Sequence, residues 1–482
     1  MLETMSQLHW ISVHGLVTVS ALSIYLAGSR VLHQRRHPST AIAWCLSLIL
    51  LPYLALPLYL LVGSRKIVMP LLASVPPAAR LRLQRSDLQQ EARGSAVRLQ
   101  ILAGTLGLPA PSFYDRFELH EDGGQALSSL LLIIDNASLQ LDLCTFTFGR
   151  DALGNEVARR LLLCASRGVQ VRLMVDGIGR LLGGRSDFQA LKAAGIHVML
   201  FASPFKFPFS CRTNLRYHRK MAIADSNRLW MGGRNLAAEY FEHIPASQPE
   251  AFGPEKKPWI DLSFTLSGTI ASQAQQQFDT DWAFAAQIPM DLSARLSAPS
   301  PPGQAALVQL VPSGPDQRED TVYTLLVSGC FAAESTIVAV SPYYVPEAAL
   351  QMALALAARR GVEVDLLLPR KSNHAMADMA RNASLRELAA SGVRIWLTPG
   401  MIHAKALVID DQFALAGSAN LDERSLFLNY EMMVAFYDPD DARQFASWIA
   451  RQRAGARPYQ PQRPGIVREF GEGMVRWLAF QL

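Results

Sequence analysis

His218, Lys220 and Asp225 stand in the order H-x-K-x4-D, and Gly232-Gly233-Arg234-Asn235 follows. His403, Lys405 and Asp410 repeat that order, followed by Gly417-Ser418-Ala419-Asn420. In both copies the Lys lies two residues after the His, the Asp seven and the Asn seventeen. An imidazole can attack or carry a proton near neutral pH, and ammonium and amide groups hold anions. If the two sets face one point, two Lys and two Asn surround a phosphodiester and the extra charge of its transition state. One His can then attack in line, while the other protonates the leaving alcohol and deprotonates the incoming one.

Such a division of labour needs each imidazole held in one tautomer by a carboxylate. Asp261 in WIDLSF and Glu431 in NYEMMVAF occupy equivalent places after the motifs and are the candidates. The motif segments LRYHRKMAIAD and MIHAKALVIDD read as strands, so His and Lys project to one face. Asp225 and Asp410 are expected to brace the motif backbone and the Lys. A metal between the two His is disfavoured by the Lys pair. His120, His197, His243 and His374 read as packing or surface residues.

The surrounding elements repeat as well. From about residue 126, ASLQLDLCTFTF reads as a strand, NEVARRLLLCASRG as a helix with a Gly cap, and VQVRLMVD as a strand. STIVAVSPYYV, LQMALALAARRG and VEVDLLLP give the same order in the second half. Alternating strands and helices predict two α/β lobes with mostly parallel sheets covered by helices. The expected division is an N-terminal hairpin (1–66), a basic helical connector (67–110), a first lobe (111–297) and a second lobe (298–482). SAPSPPG at 297–303 is the linker, and ASQPEAFGPEKKP at 246–258 is an insertion with no counterpart.

The 482 residues leave room for two or three domains. A net charge of +5 favours anionic partners mildly, without the dense basic run of a nucleic-acid binder. The five Cys are scattered, which points to reduced, buried thiols. Residues 8–29 and 41–64 carry no Lys, Arg, Asp or Glu, and each is long enough to span a bilayer. They read as a transmembrane hairpin, with Pro52 and Pro57 kinking the second segment or making it re-entrant. A signal peptide fits poorly, because the extreme N-terminus has no positive residue and a second apolar run follows. Arg65, Lys66, Arg80, Arg82 and Arg85 outnumber Arg30, Arg35 and Arg36 in the loop, so both termini and the large domain lean to the cytoplasm. At the C-terminus, Ile466, Val467, Phe470, Met474, Val475, Trp477 and Leu478 recur at helical spacing, suited either to a membrane interface or to packing on the catalytic domain.

The paired motif resembles the HKD motifs of the phospholipase D superfamily over residues 126–440. The hairpin ending in GSRK, NLRYHRK, SPYYVP, LLLPRKSN and GSANLDERSLFLNYE resemble the membrane-anchored bacterial cardiolipin synthases. The resemblance implies two tandem α/β/α lobes with the active site between them, and no metal or organic cofactor. It implies transphosphatidylation of two phosphatidylglycerol molecules to cardiolipin and glycerol at the bacterial inner membrane. By analogy His218 is the nucleophile and His403 the acid/base, with Asn235, Ser418 and Asn420 on the phosphate. Ser418 offers a hydroxyl where Gly233 offers only backbone. Arg234 and Arg216, and with them Lys206, Arg212 and Arg219, are candidates for the lipid headgroup. A phospholipase D hydrolase on the same scaffold is the alternative, and a non-catalytic membrane scaffold is a third reading. Acceptor choice, sidedness and oligomeric state, a homodimer among the options, stay open.

Overall fold

The computed structural model describes residues 2–31, 38–63, 94–202, 214–241, 258–288, 307–317 and 319–478. The 297–303 linker, most of the connector, nearly all of the 246–258 insertion, Lys206, Arg212, Cys211 and His243 lie outside them.

The first half supplies β1 (Ser112–Phe113), β2 (Arg116–His120), β3 (Gln140–Thr145), β4 (Gln170–Asp176), β5 (His197–Phe201), β6 (Arg216–Tyr217), β7 (Met221–Ala224), β8 (Arg228–Gly232) and β9 (Ser263–Ser267). The second supplies β10 (Leu307–Ser313), β11 (Thr336–Val340), β12 (Tyr344–Val345), β13 (Glu363–Pro369), β14 (Arg394–Thr398), β15 (Ala406–Ile409), β16 (Phe413–Gly417), β17 (Leu421–Asp422), β18 (Asn429–Phe436) and β19 (Arg457–Pro458). One sheet runs β2-β9-β8-β7-β3-β4-β5. The other runs β1-β10-β18-β16-β15-β11-β13-β14-β19, with β6 also on β18. The central order of the two sheets matches strand for strand, as a repeated unit requires.

Two expectations are corrected. The sheets are mixed rather than mostly parallel: β3-β4-β5 and β11-β13-β14 are parallel, and the motif strands pair antiparallel. The cause is the tight three-residue link after each motif strand, residues 225–227 and 410–412. Asp225 and Ser226 (φ 51° and 52°) and Asp410 and Asp411 (φ 53° and 52°) are all left-handed, the geometry of a tight hairpin, which joins only antiparallel strands. Second, the boundary expected near residue 111 falls among elements that serve the second sheet. β1 pairs with β10, and Leu99 and Ala103 of the helix Ser95–Thr105 sit in the second half's core.

A central core is built jointly. Met221, Ile223, Met231 and Phe264 from the first sheet pack with Leu310, Val408, Met432, Val434 and Phe436 from the second, and Phe445 and Trp448 cover them. Burying side chains of this size contributes about 1.5–3 kcal/mol each, so the halves are held as one body.

The N-terminal apolar region forms three helices: Leu2–Val31, Pro38–Leu50 and Pro52–Val62. Pro52 has no N–H to continue the preceding helix and stands at the first turn of the next. Helices of 13 and 11 residues therefore replace the single span expected at 41–64. Among the described residues no helix is long and apolar enough to cross a membrane. Tyr59 packs edge-on against Tyr25 and Trp44 inside this bundle, while Leu16, Leu50 and Leu54 are 70%, 69% and 69% exposed.

Candidate active site

The motif aspartates act at the far ends of the motif strands. Asp225 accepts from the backbone N–H of Ser138 (3.0 Å), Leu139 (2.7 Å) and Gln140 (3.0 Å) and from Ser138 Oγ (2.9 Å). Asp410 does the same with Glu334 (3.0 Å), Ser335 (2.8 Å), Thr336 (3.0 Å) and Ser335 Oγ (2.9 Å). These bonds hold both carboxyls below the usual carboxylate range, against the opposing effect of burial. Each hairpin is thereby locked to the start of the central strand, β3 or β11. Four residues lie between Lys220 and Asp225, which along an extended strand sets them about 16 Å apart. Both Asp brace backbone, as expected, and among the described residues neither is bonded to its motif Lys, which corrects the other half of that expectation.

His218 and Lys220 lie between β6 and β7, not inside one strand, and His403 and Lys405 lie just before β15. There the chain crosses from one half to the other. His218 N donates to Tyr430 O (2.9 Å), and His403 N donates to Ile260 O (2.6 Å). The next residue on each partner segment is the carboxylate: Glu431 follows Tyr430, and Asp261 follows Ile260. His218 Nδ1 meets Glu431 at 2.9 Å, and His403 Nδ1 meets Asp261 at 2.7 Å. The pairing is therefore crossed, each half orienting the other half's imidazole. A carboxylate only accepts, so each Nδ1 carries the proton and each Nε2 keeps its lone pair.

The two carboxylates sit differently. Glu431 also accepts from Ser418 Oγ (2.5 Å), Ser425 Oγ (2.5 Å) and Asn429 Nδ2 (3.3 Å). Ser418 is thus spent on Glu431, and it accepts from Met432 N as well (2.9 Å); the expected phosphate contact is corrected. Across the pseudo-repeat, the shorter Asp261 lies so close that a Cβ on Gly233 would come within 2.2 Å of its Oδ1. Asp with Gly and Glu with Ser are matched pairs, which explains the Gly233/Ser418 difference.

Other expected contacts are placed elsewhere. Asn235 donates to Tyr240 Oη (2.8 Å) and its Oδ1 accepts from Thr147 N (3.4 Å). Asn420 lies against Asp422, and among the described residues its buried Oδ1 has no partner, so a phosphate would have to draw its amide off Asp422. Arg234 is buried and donates to Tyr240 O (3.0 Å) and Ser263 Oγ (3.1 Å). Arg216 is buried against Asp176 (3.4 Å). Arg219 is wholly buried, paired with Asp281 and donating to Glu431 O (2.9 Å). These three guanidiniums hold the scaffold and are not presented to a headgroup.

Charge and burial set the protonation states. Burial pushes His218 down to about 4 and His403 down to about 3, so both are neutral at pH 7. Burial also pushes Lys220 down to about 7 and Lys405 to about 8, with Lys405 further lowering Lys220. Burial opposes ionisation of Asp261, yet His403 and Lys405 hold it down to about 2; Glu431 is likewise lowered, chiefly by His218. Two carboxylates thus face two ammonium groups that are near their titration point, a set that an incoming anion drives fully positive. Lys220 Nζ donates to His218 O (2.7 Å), while Lys405 Nζ donates to His403 O and lies against the His403 ring, 2.7 Å from Nδ1 and 2.9 Å from Nε2. Among the described residues His218 Nε2 has no hydrogen-bond partner.

Spacing alone did not reveal Ser425, Asn429 and Tyr240, or the aromatic walls, Phe146 by His218 (5.4 Å) and Tyr240 and Trp259 by His403 (5.0 and 5.5 Å). The one signal in the sequence was position: Ser425 and Tyr240 each stand five residues after a motif Asn.

Comparison with known proteins agrees with this geometry. A family model described as "Cardiolipin synthase, PLD-like domain" matches residues 130–282 and 331–453, and one described as "Phospholipase_D-nuclease N-terminal" matches 18–64. Cardiolipin synthase A of Pseudomonas fluorescens is 30% identical over 427 residues, covering 86% of this chain and 87% of that one. Cardiolipin synthase A of Pseudomonas aeruginosa is 30% identical over 439 residues, covering 89% and 87%. In fold, the chain resembles the crystal structure of phosphatidylserine synthase from Haemophilus influenzae, with a TM-score of 0.60 at 12% identity over 81% of this chain and all of that one. With both motifs intact in a duplicated α/β unit, this chain belongs to the phospholipase D-like cardiolipin synthase family.

Proposed function

We propose that the chain transfers a phosphatidyl group from one phosphatidylglycerol to the free glycerol hydroxyl of a second, giving cardiolipin and glycerol. The observation that carries the division of roles is the unequal state of the two Nε2 atoms. His218 Nε2 holds a free lone pair, fixed by Glu431 on Nδ1, and attacks phosphorus. His403 Nε2 sits against the ammonium of Lys405, a proton source, and serves the leaving glycerol. The P–O bond to glycerol breaks as the N–P bond forms, and the glycerol oxygen takes a proton that passes from the Lys405 ammonium through His403 Nε2. In the second step His403 Nε2 takes the proton of the acceptor hydroxyl and returns it to Lys405, while the hydroxyl oxygen attacks phosphorus and frees His218. Lys220, Lys405 and the Asn235 amide supply the charge and donors around the phosphate.

The exposed apolar faces of the N-terminal helices support seating that bundle in a bacterial membrane, two-pass or re-entrant, where the lipid substrates reside. Protease protection in oriented membranes reads the sidedness, with the catalytic domain expected on the cytoplasmic side. Purified protein with phosphatidylglycerol vesicles is expected to yield cardiolipin and glycerol, and His218→Ala and His403→Ala each to abolish turnover. Phosphatidic acid as the main product would favour hydrolysis instead, and near-normal activity of either variant would sink the two-histidine scheme.

A further inference from the structure

The C-terminal helix Ile466–Leu478 docks on the catalytic domain through Gly471, Glu472 and Val475. Glu472, only 2% exposed, pairs with Arg386 (2.7 Å) of the helix Ala375–Ala390 and with Arg468 (2.9 Å). Val475 packs with Val345, Ala377 and Ala380, and Gly471 approaches Met379. Residues 471, 472 and 475 therefore define the inward face. At about 100° per residue, positions 466, 470 and 477 fall on the opposite face. The sequence fills them with Ile, Phe and Trp, and Ile466 is 87% exposed. Ile466 thus stands on a face of the helix turned away from its supporting domain.

The surroundings identify what covers that face. Met376 and Met379 on the supporting helix are 46% and 37% exposed, and Arg370 and Lys371 just before it are exposed. Apolar side chains beside cations suit the interface of an anionic bilayer. The plate is also joined to the active site: Val345 lies in β12, which pairs with β17, and β17 directly follows Asn420.

We propose that this helix and the start of its supporting helix form a second bilayer contact, separate from the N-terminal helices, that lays the cleft rim on an anionic lipid surface. The proposal rests on the substrate being a membrane phospholipid, as inferred above. The test uses the full chain, with Cys45 and Cys211 replaced by Ser, carrying a fluorescent label at Ile466→Cys, in phosphatidylglycerol-containing proteoliposomes. A label at Leu139→Cys, 75% exposed beside the opposite ends of the strands, is the reference. Lipids with a nitroxide on the acyl chain are expected to quench the first label and spare the second. Equal quenching of the two overturns the proposal. So does a label at 466 that is shielded without lipid quenching, which would place a second copy of the chain there. In a second arm, Ile466→Asp is expected to slow turnover on vesicles on the order of tenfold and leave turnover of monomeric short-chain phosphatidylglycerol unchanged; equal loss on both substrates also overturns it. The quenching arm needs no turnover, so failure of the catalytic scheme is read separately.

Discussion

Glu431→Gln is expected to disable His218, 213 residues away, and Asp261→Asn to disable His403, 142 residues away. Each swap keeps shape but turns one acceptor oxygen into a donor. At Glu431 that donor meets His218 Nδ1 (2.9 Å), Ser418 Oγ (2.5 Å) and Ser425 Oγ (2.5 Å), which now donate to the carboxylate. Losing one hydrogen bond to a charged group costs about 1.5–3 kcal/mol, about 10- to 150-fold in rate, and a reversed imidazole tautomer raises this toward about 10⁴-fold. The assay is rapid-quench turnover of two diesters, phosphatidylglycerol and a phosphatidyl nitrophenol whose leaving group needs no proton. Asp261→Asn is expected to lose phosphatidylglycerol turnover yet release nitrophenol in the first step at near wild-type rate. Glu431→Gln is expected to be slow on both. The opposite pattern, or either variant within about twofold of wild type on phosphatidylglycerol, would refute the crossed pairing or its assigned roles.

Gly233→Ala is expected to abolish activity while the chain still folds, because the new Cβ must push Asp261 off His403; activity near wild type would show that Asp261 has room to move. Asp225→Ala and Asp410→Ala are expected to cost about 1–3 kcal/mol of stability each in denaturant melts, through uncapped backbone N–H groups, with the catalytic pKa values unchanged. In the pH profile, kcat/KM is expected to fall as pH rises through about 7 and 8, where Lys220 and Lys405 lose their protons. The two imidazoles act on stability in the acid direction. Their folded values, about 4 and 3, lie below the unfolded value near 6.5, so the unfolded chain binds more protons and stability falls as pH drops from about 6.5 toward 4. His218→Gln is expected to flatten that slope in pH-dependent melts.

The motif residues were legible because duplication repeats spacing, but the antiparallel hairpins were not read, because alternating strands and helices pointed to parallel pairing. The crossed carboxylates were not legible. Glu431 and Asp261 are visible as equivalent positions, but which imidazole each serves depends on where β6 crosses onto β18, a contact between distant parts of the chain. Charge alone also misled. Arg216, Arg219 and Arg234 read as headgroup ligands, yet each faces an internal carboxylate, hydroxyl or carbonyl that only the fold brings near. The Gly233/Ser418 difference was noticed for the wrong reason, since it compensates the one-carbon difference between Asp and Glu. In the N-terminal region hydropathy was read correctly as apolar, but Pro52 divides the second segment where composition alone ran through it.

The central claim is a single composite site in which His218 becomes covalently bonded to phosphorus while His403 moves the proton. Acid- or base-quenched enzyme, trapped during turnover of phosphatidylglycerol and mapped by peptide mass spectrometry, reads this directly. A phosphatidyl adduct is expected on the peptide carrying His218, increased in His403→Ala supplied with the nitrophenol substrate and absent in His218→Ala. An adduct on His403, or turnover with none on either residue, would contradict it.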